Sequence, residues 1–146
     1  MEKILPRFHL AFPVNNLDNA KKFYSSVLGC SIGRQSENWV DFNFYGHQIV
    51  AHLSLDDHSI DSTNNVDGNQ IPSRHFGVIL SYNHWERLLK SLIDKKVEFL
   101  IEPNIRFKNK NGEQGTFFIK DLSGNILEFK YFQNDQMIFE ENELNN

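Results

Sequence analysis

Glu128 lies in the stretch ILEFKYF, residues 126–132, with Leu127 and Phe129 on either side of it. The spacing reads as a strand with Leu127, Phe129 and Tyr131 on one face and Ile126, Glu128 and Lys130 on the other. A carboxylate in so apolar a strand is costly unless it is paired with a cation or binds a metal. Lys130 and Arg106 are the side chains that could pair with it. Histidines are the side chains that could share a metal with it. Two of them, His9 and His75, stand at matched places in HLAFPV and HFGVIL, two stretches of strand character. A third, His52, lies on the more polar face of QIVAHLSL, with Gln48 and Val50.

The elements that position these residues repeat. Residues 7–14 alternate, with Phe8, Leu10, Phe12 and Val14 on one side and His9, Ala11 and Pro13 on the other. Asn16 is a natural N-cap. Leu17, Ala20, Phe23, Tyr24, Val27 and Leu28 then form one apolar stripe, and Gly29 ends the predicted helix. A weak strand at 30–36 precedes a hairpin, WVDFNFY against QIVAHLSL. Residues 56–73 are polar and turn-rich and read as a linker. The order then starts again: a strand at 75–80, a helix carrying Trp85, Leu88, Leu89, Leu92 and Ile93, a strand at 97–103, a polar loop holding Arg106, and a last hairpin. That hairpin runs from 117 to 132 and turns at DLSGN, where Gly124-Asn125 is a strong turn signal.

The reading is therefore an α+β chain of two βαβββ modules, 7–55 and 74–132, with a tail at 133–146. Two such sheets side by side form a cupped mixed sheet, into which His9, His52, His75 and Glu128 point. Trp39, Asn43, Phe118 and Lys120 are candidates to line it. His47 in a turn, His58 in the linker and His84 in the first turn of the second helix read as solvated side chains. Cys30 lacks basic neighbours that would make its thiol reactive.

With 146 residues the chain is one domain or two small halves. A net charge of −4 gives no basic footprint for nucleic acid. One cysteine fits a reducing compartment, and no apolar run spans a bilayer, so the expectation is a cytoplasmic protein without membrane partners.

The segments FHLAFPVNNLDNAKKFYSSVLG, RHFGVIL and KDLSGNILEFKYF, in this repeated layout, resemble the vicinal oxygen chelate superfamily. That superfamily includes glyoxalase I, extradiol dioxygenases, fosfomycin-resistance enzymes and bleomycin-binding proteins. The resemblance covers residues 7–132. It implies a glyoxalase/extradiol dioxygenase-like fold and a divalent metal held by His9, His75 and Glu128. Two histidines and one carboxylate suit Fe(II), with Ni, Co, Mn or Zn as alternatives. It further implies a small substrate with adjacent oxygens, His52 as fourth ligand or acid–base residue, and a homodimer. The favoured reaction is extradiol-type. A glyoxalase-type isomerase or lyase, or a non-catalytic binding protein, is the alternative. One departure stands out: where a catalytic tyrosine is expected ahead of the last strand, this chain has Phe117 and Phe118.

Overall fold

The computed structural model describes residues 5–56, 63–66 and 68–140. The chain divides into two units, Met1–Ser59 with Asp121–Asn125, and Ile60–Lys120 with Ile126–Asn146. The fold is α+β, and each unit carries one βαβββ module with a four-stranded mixed sheet.

In the first unit the elements are β1 (His9–Val14), α1 (Leu17–Lys21), β2 (Ser31–Gln35), β3 (Trp39–Phe44) and β4 (His47–Leu53). The sheet order is β1-β4-β3-β2, with β1 parallel to β4 and the other pairs antiparallel. Pro13 is tolerated because β1 is an edge strand. The Asn16 side chain caps α1 by accepting from the Asn19 amide. The predicted helix then departs from α geometry: Lys22–Val27 is a π-helix, and Gly29 ends it at φ +80°. The apolar stripe is nonetheless the buried one. Phe23 and Tyr24 are buried, and the Tyr24 ring lies 5.1 Å from that of Phe42, which shares one buried face of the sheet with Val40, Ile49 and Ala51.

Tyr24 is fully buried, and its hydroxyl donates to Asp121 at 2.9 Å. Asp121 also accepts from the amides of Ser123 and Asn125 and from Asn125 Nδ2, each at 2.8 Å. Four donors thus satisfy one buried carboxylate. Burial, with the Asp121 charge behind it, holds the Tyr24 phenol well above its ordinary pKa. Gly124 supplies the positive φ that this five-residue turn needs.

In the second unit, residues 63–72, within the expected linker, form a hairpin of β5 (Thr63–Val66) and β6 (Asn69–Pro72). Then follow β7 (Phe76–Leu80), α2 (Tyr82–Asp94), β8 (Phe99–Arg106), β9 (Gln114–Lys120) and β10 (Ile126–Phe132). The order β7-β10-β9-β8, with β7 parallel to β10, repeats the first sheet. β8 runs through Pro103 as an irregular edge strand. On the face toward α2, Phe117, Ile119, Leu127, Phe129 and Tyr131 are fully buried with Trp85 and Leu92. The Trp85 indole N–H donates to the Phe129 carbonyl at 2.9 Å. In the expected tail, Asp135–Ile138 is a short 3-10 turn that buries Met137. Among the described residues, no helix is long and apolar enough to cross a membrane.

Removing the Tyr24 hydroxyl leaves the Asp121 carboxylate one donor short. Tyr24→Phe is expected to destabilise the protein by about 1.5–3 kcal/mol, read as a lower urea midpoint with an unchanged m-value.

Candidate functional site

Neutral imidazole has one donor and one acceptor nitrogen, so a fixed oxygen acceptor decides which is which. His9 Nδ1 lies 2.8 Å from Gln48 Oε1, its direct partner across the parallel β1–β4 ladder. The Gln48 amide is itself held, because its Nε2 donates to Asp41 Oδ2 at 3.1 Å. Asp41 is buried and has Arg34 Nε at 3.9 Å. An amide oxygen can only accept, so His9 carries its proton on Nδ1 and keeps its lone pair on Nε2. His75 arrives at the same state by another route. Its Nδ1 lies 2.7 Å from the Pro72 carbonyl at the end of the β5–β6 hairpin, which leaves Nε2 as the lone-pair nitrogen. Ring nitrogens oriented in this way are what metal sites use.

Glu128 and His75 line one cavity of about 210 Å³ within the second unit. Glu128 sits there because β10 alternates: Leu127 and Phe129 go to the core, Glu128 and Lys130 to the other face. Its side chain is 14% exposed. Thr116 Oγ1 donates to its Oε2 at 3.1 Å, and Lys130 Nζ stands 3.9 Å from Oε1. Lys130 is thus a cation beside it. Phe118 lines the same cavity, with its ring 5.3 Å from the His75 ring, edge to face. Phe117, by contrast, is a core residue. The β5–β6 hairpin supplies Val66, Asn69 and Ile71 as one wall.

The remaining candidates are not in the lining of that cavity. His52 is exposed and pairs with Trp39 and Pro13, on the opposite side of β4 from the buried Ile49 and Ala51. It does not hold the place of Glu128 in the repeat. In the parallel ladders Ala11 faces Val50 and Gly77 faces Glu128, so with His9 and His75 aligned, Val50 answers to Glu128 and His52 to Lys130. Long-range parallel pairing sets this register. Arg34 lies over the Trp39 ring at 5.8 Å. Asn43 accepts from the Gly46 amide at 2.7 Å and serves the turn. Lys120 is exposed, one rung beyond Phe118, outside the cavity lining.

Of the other histidines, His47 accepts from the Phe8 amide at 2.9 Å, and His84 is exposed in the first turn of α2. His58 lies outside the described residues. Burial pushes the Cys30 thiol up to about 11, the opposite of a reactive thiolate. Among the described residues, no group of three His, Cys, Asp or Glu side chains is placed to hold a metal ion. His9 lies in the first unit, and His75 and Glu128 lie in the second.

Sequence reasoning missed Gln48 as the orienting group and the hairpin as a wall. The Asp-Gly step at 67–68 was the available signal for the hairpin.

The orientation of His9 is directly measurable. Long-range proton–nitrogen NMR is expected to find the Nδ1–H tautomer of His9 in the wild type, and Gln48→Leu is expected to lose that preference while leaving His75 unchanged.

A profile for the glyoxalase/bleomycin resistance protein/dioxygenase superfamily matches residues 8–129. Among solved structures, a glyoxalase/bleomycin resistance protein/dioxygenase from Alicyclobacillus acidocaldarius is 34% identical, over 95% of this chain and 100% of that one, at TM-score 0.79. The fosfomycin resistance protein FosX from Listeria monocytogenes shares the fold at 12% identity and TM-score 0.66, over 93% and 100% of the two chains. Lactoylglutathione lyase from Agrobacterium tumefaciens does so at 13% and 0.63, over 89% and 96%. No protein among those with curated descriptions matches.

Proposed function

The chain belongs to the glyoxalase/bleomycin resistance protein/dioxygenase superfamily, and from that premise we propose that it is a divalent-metal enzyme acting on a small substrate with two adjacent oxygens. The observation that carries this reading is the donor chemistry. Each opening strand is led in by a histidine whose Nδ1 is tied to an oxygen and whose Nε2 keeps its lone pair. Glu128 adds a carboxylate that is mostly buried and that, among the described residues, has only the Thr116 hydroxyl at hydrogen-bond distance. These three donors fit a divalent ion, and His9, His75 and Glu128 are the residues that would hold it.

Two histidines and one carboxylate are the facial set used with Fe(II). A four-ligand set with a second carboxylate would need one at the place that answers to Glu128 in the first unit, and that place holds the buried Val50. Extradiol-type ring cleavage is therefore the reaction we favour over a glyoxalase-type isomerisation. When bound, the ion would supply Lewis acidity toward both substrate oxygens. The protein's own part is to hold the two imidazoles in one tautomer, to hold Glu128 between Thr116 and Lys130, and to close one side of the cavity with the β5–β6 hairpin. His52 is the proposed acceptor of the substrate's hydroxyl proton.

The test is oxygen uptake by protein loaded anaerobically with Fe(II), over a panel of catechols that includes carboxylated ones. Uptake above the Glu128→Gln background with at least one substrate is expected. His52→Gln should lower kcat by about 10²-fold or more at unchanged iron content. Uptake no greater than in Glu128→Gln across the panel would rule out the oxygen-dependent reaction.

A further inference from the structure

The cavity that holds His75 and Glu128 has a second end. Side chains on alternate positions share a face, so the ladders set the lining in rows: Phe118 with Glu128, then Thr116 with Lys130, then Gln114 with Arg106. Each row is about 7 Å beyond the last, and the Gln114–Arg106 row lies about 13 Å from Glu128. The far end carries a guanidinium, which has more N–H donors than one partner uses, and the near end carries a carboxylate. The far end also contains an unsatisfied group. Gln114 is only 6% exposed, and its amide nitrogen, among the described residues, has no hydrogen-bond partner. Native proteins keep few buried donors in this condition. The Gln114 side chain is part of the cavity lining. An acceptor arriving beside Arg106 would satisfy it.

We propose that this end of the cavity binds an oxyanion, a carboxylate or phosphoryl group carried by the substrate, through the Arg106 guanidinium and the Gln114 amide. Lys130 stands between the two ends and adds its charge to the field that an anion meets. Val66, Ile71 and Ile101, the last opposite Phe118, give the cavity apolar lining that suits a ring or a short aliphatic chain. A volume of about 210 Å³ is below the ~300 Å³ at which sites for drug-sized molecules begin. The proposed ligand is an organic anion with an apolar body. The inference rests on the proposed function for the identity of the near end, and it adds the class of substrate.

The experiment uses metal-free full-length protein, titrated with benzoate, phenylphosphonate and benzamide, and followed by NMR shifts at Thr116 and the Gln114 side-chain amide. At least one of the two anions should bind, with neutral benzamide weaker by about tenfold or more than its isostere benzoate. Arg106→Gln and Gln114→Glu should each weaken the anion by about tenfold, whereas Glu128→Gln should not weaken it. Should Gln114→Glu not fold, Arg106→Gln, at a half-exposed side chain, makes the same comparison. The proposal is overturned if neither anion saturates in the millimolar range, if benzamide matches benzoate, or if Arg106→Gln leaves affinity within about twofold. Anion binding through Arg106 in a protein that takes up no metal would sink the metal reading and leave this site standing. Metal uptake without anion binding would do the reverse.

Discussion

At Gly77 the backbones of β7 and β10 run so close that a Cβ would overlap the Glu128 carbonyl oxygen. This contact fixes Gly77 opposite Glu128 in the parallel ladder, and much of the second unit follows from that register. A slip of one residue would send Glu128 into the core and Leu127 or Phe129 into the cavity. With the register held, Leu127, Phe129 and Tyr131 are committed to the face under α2, and Glu128 to the face shared with Phe118 and Thr116. β9 is pinned in turn. A Cβ at Gly115 would overlap the Tyr131 ring, so the strand that carries Gln114 and Thr116 can lie against β10 only because that position is glycine.

The two histidines show how one chemical state is reached from different surroundings. His9 is oriented by a side-chain relay that ends on a buried carboxylate, Asp41 to Gln48 to the ring. His75 is oriented by a backbone carbonyl at the end of the hairpin. The relay is adjustable by substitution at Gln48, whereas the carbonyl of Pro72 is fixed by the path of the chain. The hairpin has two tasks, since the stretch that orients His75 also supplies a wall of the cavity.

Much of this was legible in the sequence because alternation and helical spacing are local. The parity of residues 126–132, the stripe from Leu17 to Leu28 and the Gly124-Asn125 turn each come from a few neighbouring residues, and each places its side chains as read. Other features depend on pairing over long separations. The Gln48–His9 contact joins residues 39 apart, and the Tyr24–Asp121 contact joins residues 97 apart. Neither has a local signal. The match of Val50 with Glu128 was hidden for the same reason. TNNV and NQIP are poor in strand-forming residues, so polarity obscured the hairpin. Arg106 and Gln114 fell in what reads as a polar loop, because Pro103 looks like a strand end, whereas an edge strand tolerates it.

The account rests on Glu128 as the anionic member of a divalent-ion site shared with His9 and His75. The direct measurement is metal bound per chain after reconstitution with iron, manganese, cobalt, nickel or zinc, in the wild type, Glu128→Gln and Lys130→Ala at matched purity. Counting per chain reads the same whether the site lies within one chain or is shared across a dimer. The wild type should hold close to one ion per chain, Lys130→Ala should keep it, and Glu128→Gln should lose most of it with unchanged circular dichroism. Equal occupancy in the wild type and Glu128→Gln, or no metal in the wild type with any of the five ions, would contradict the account.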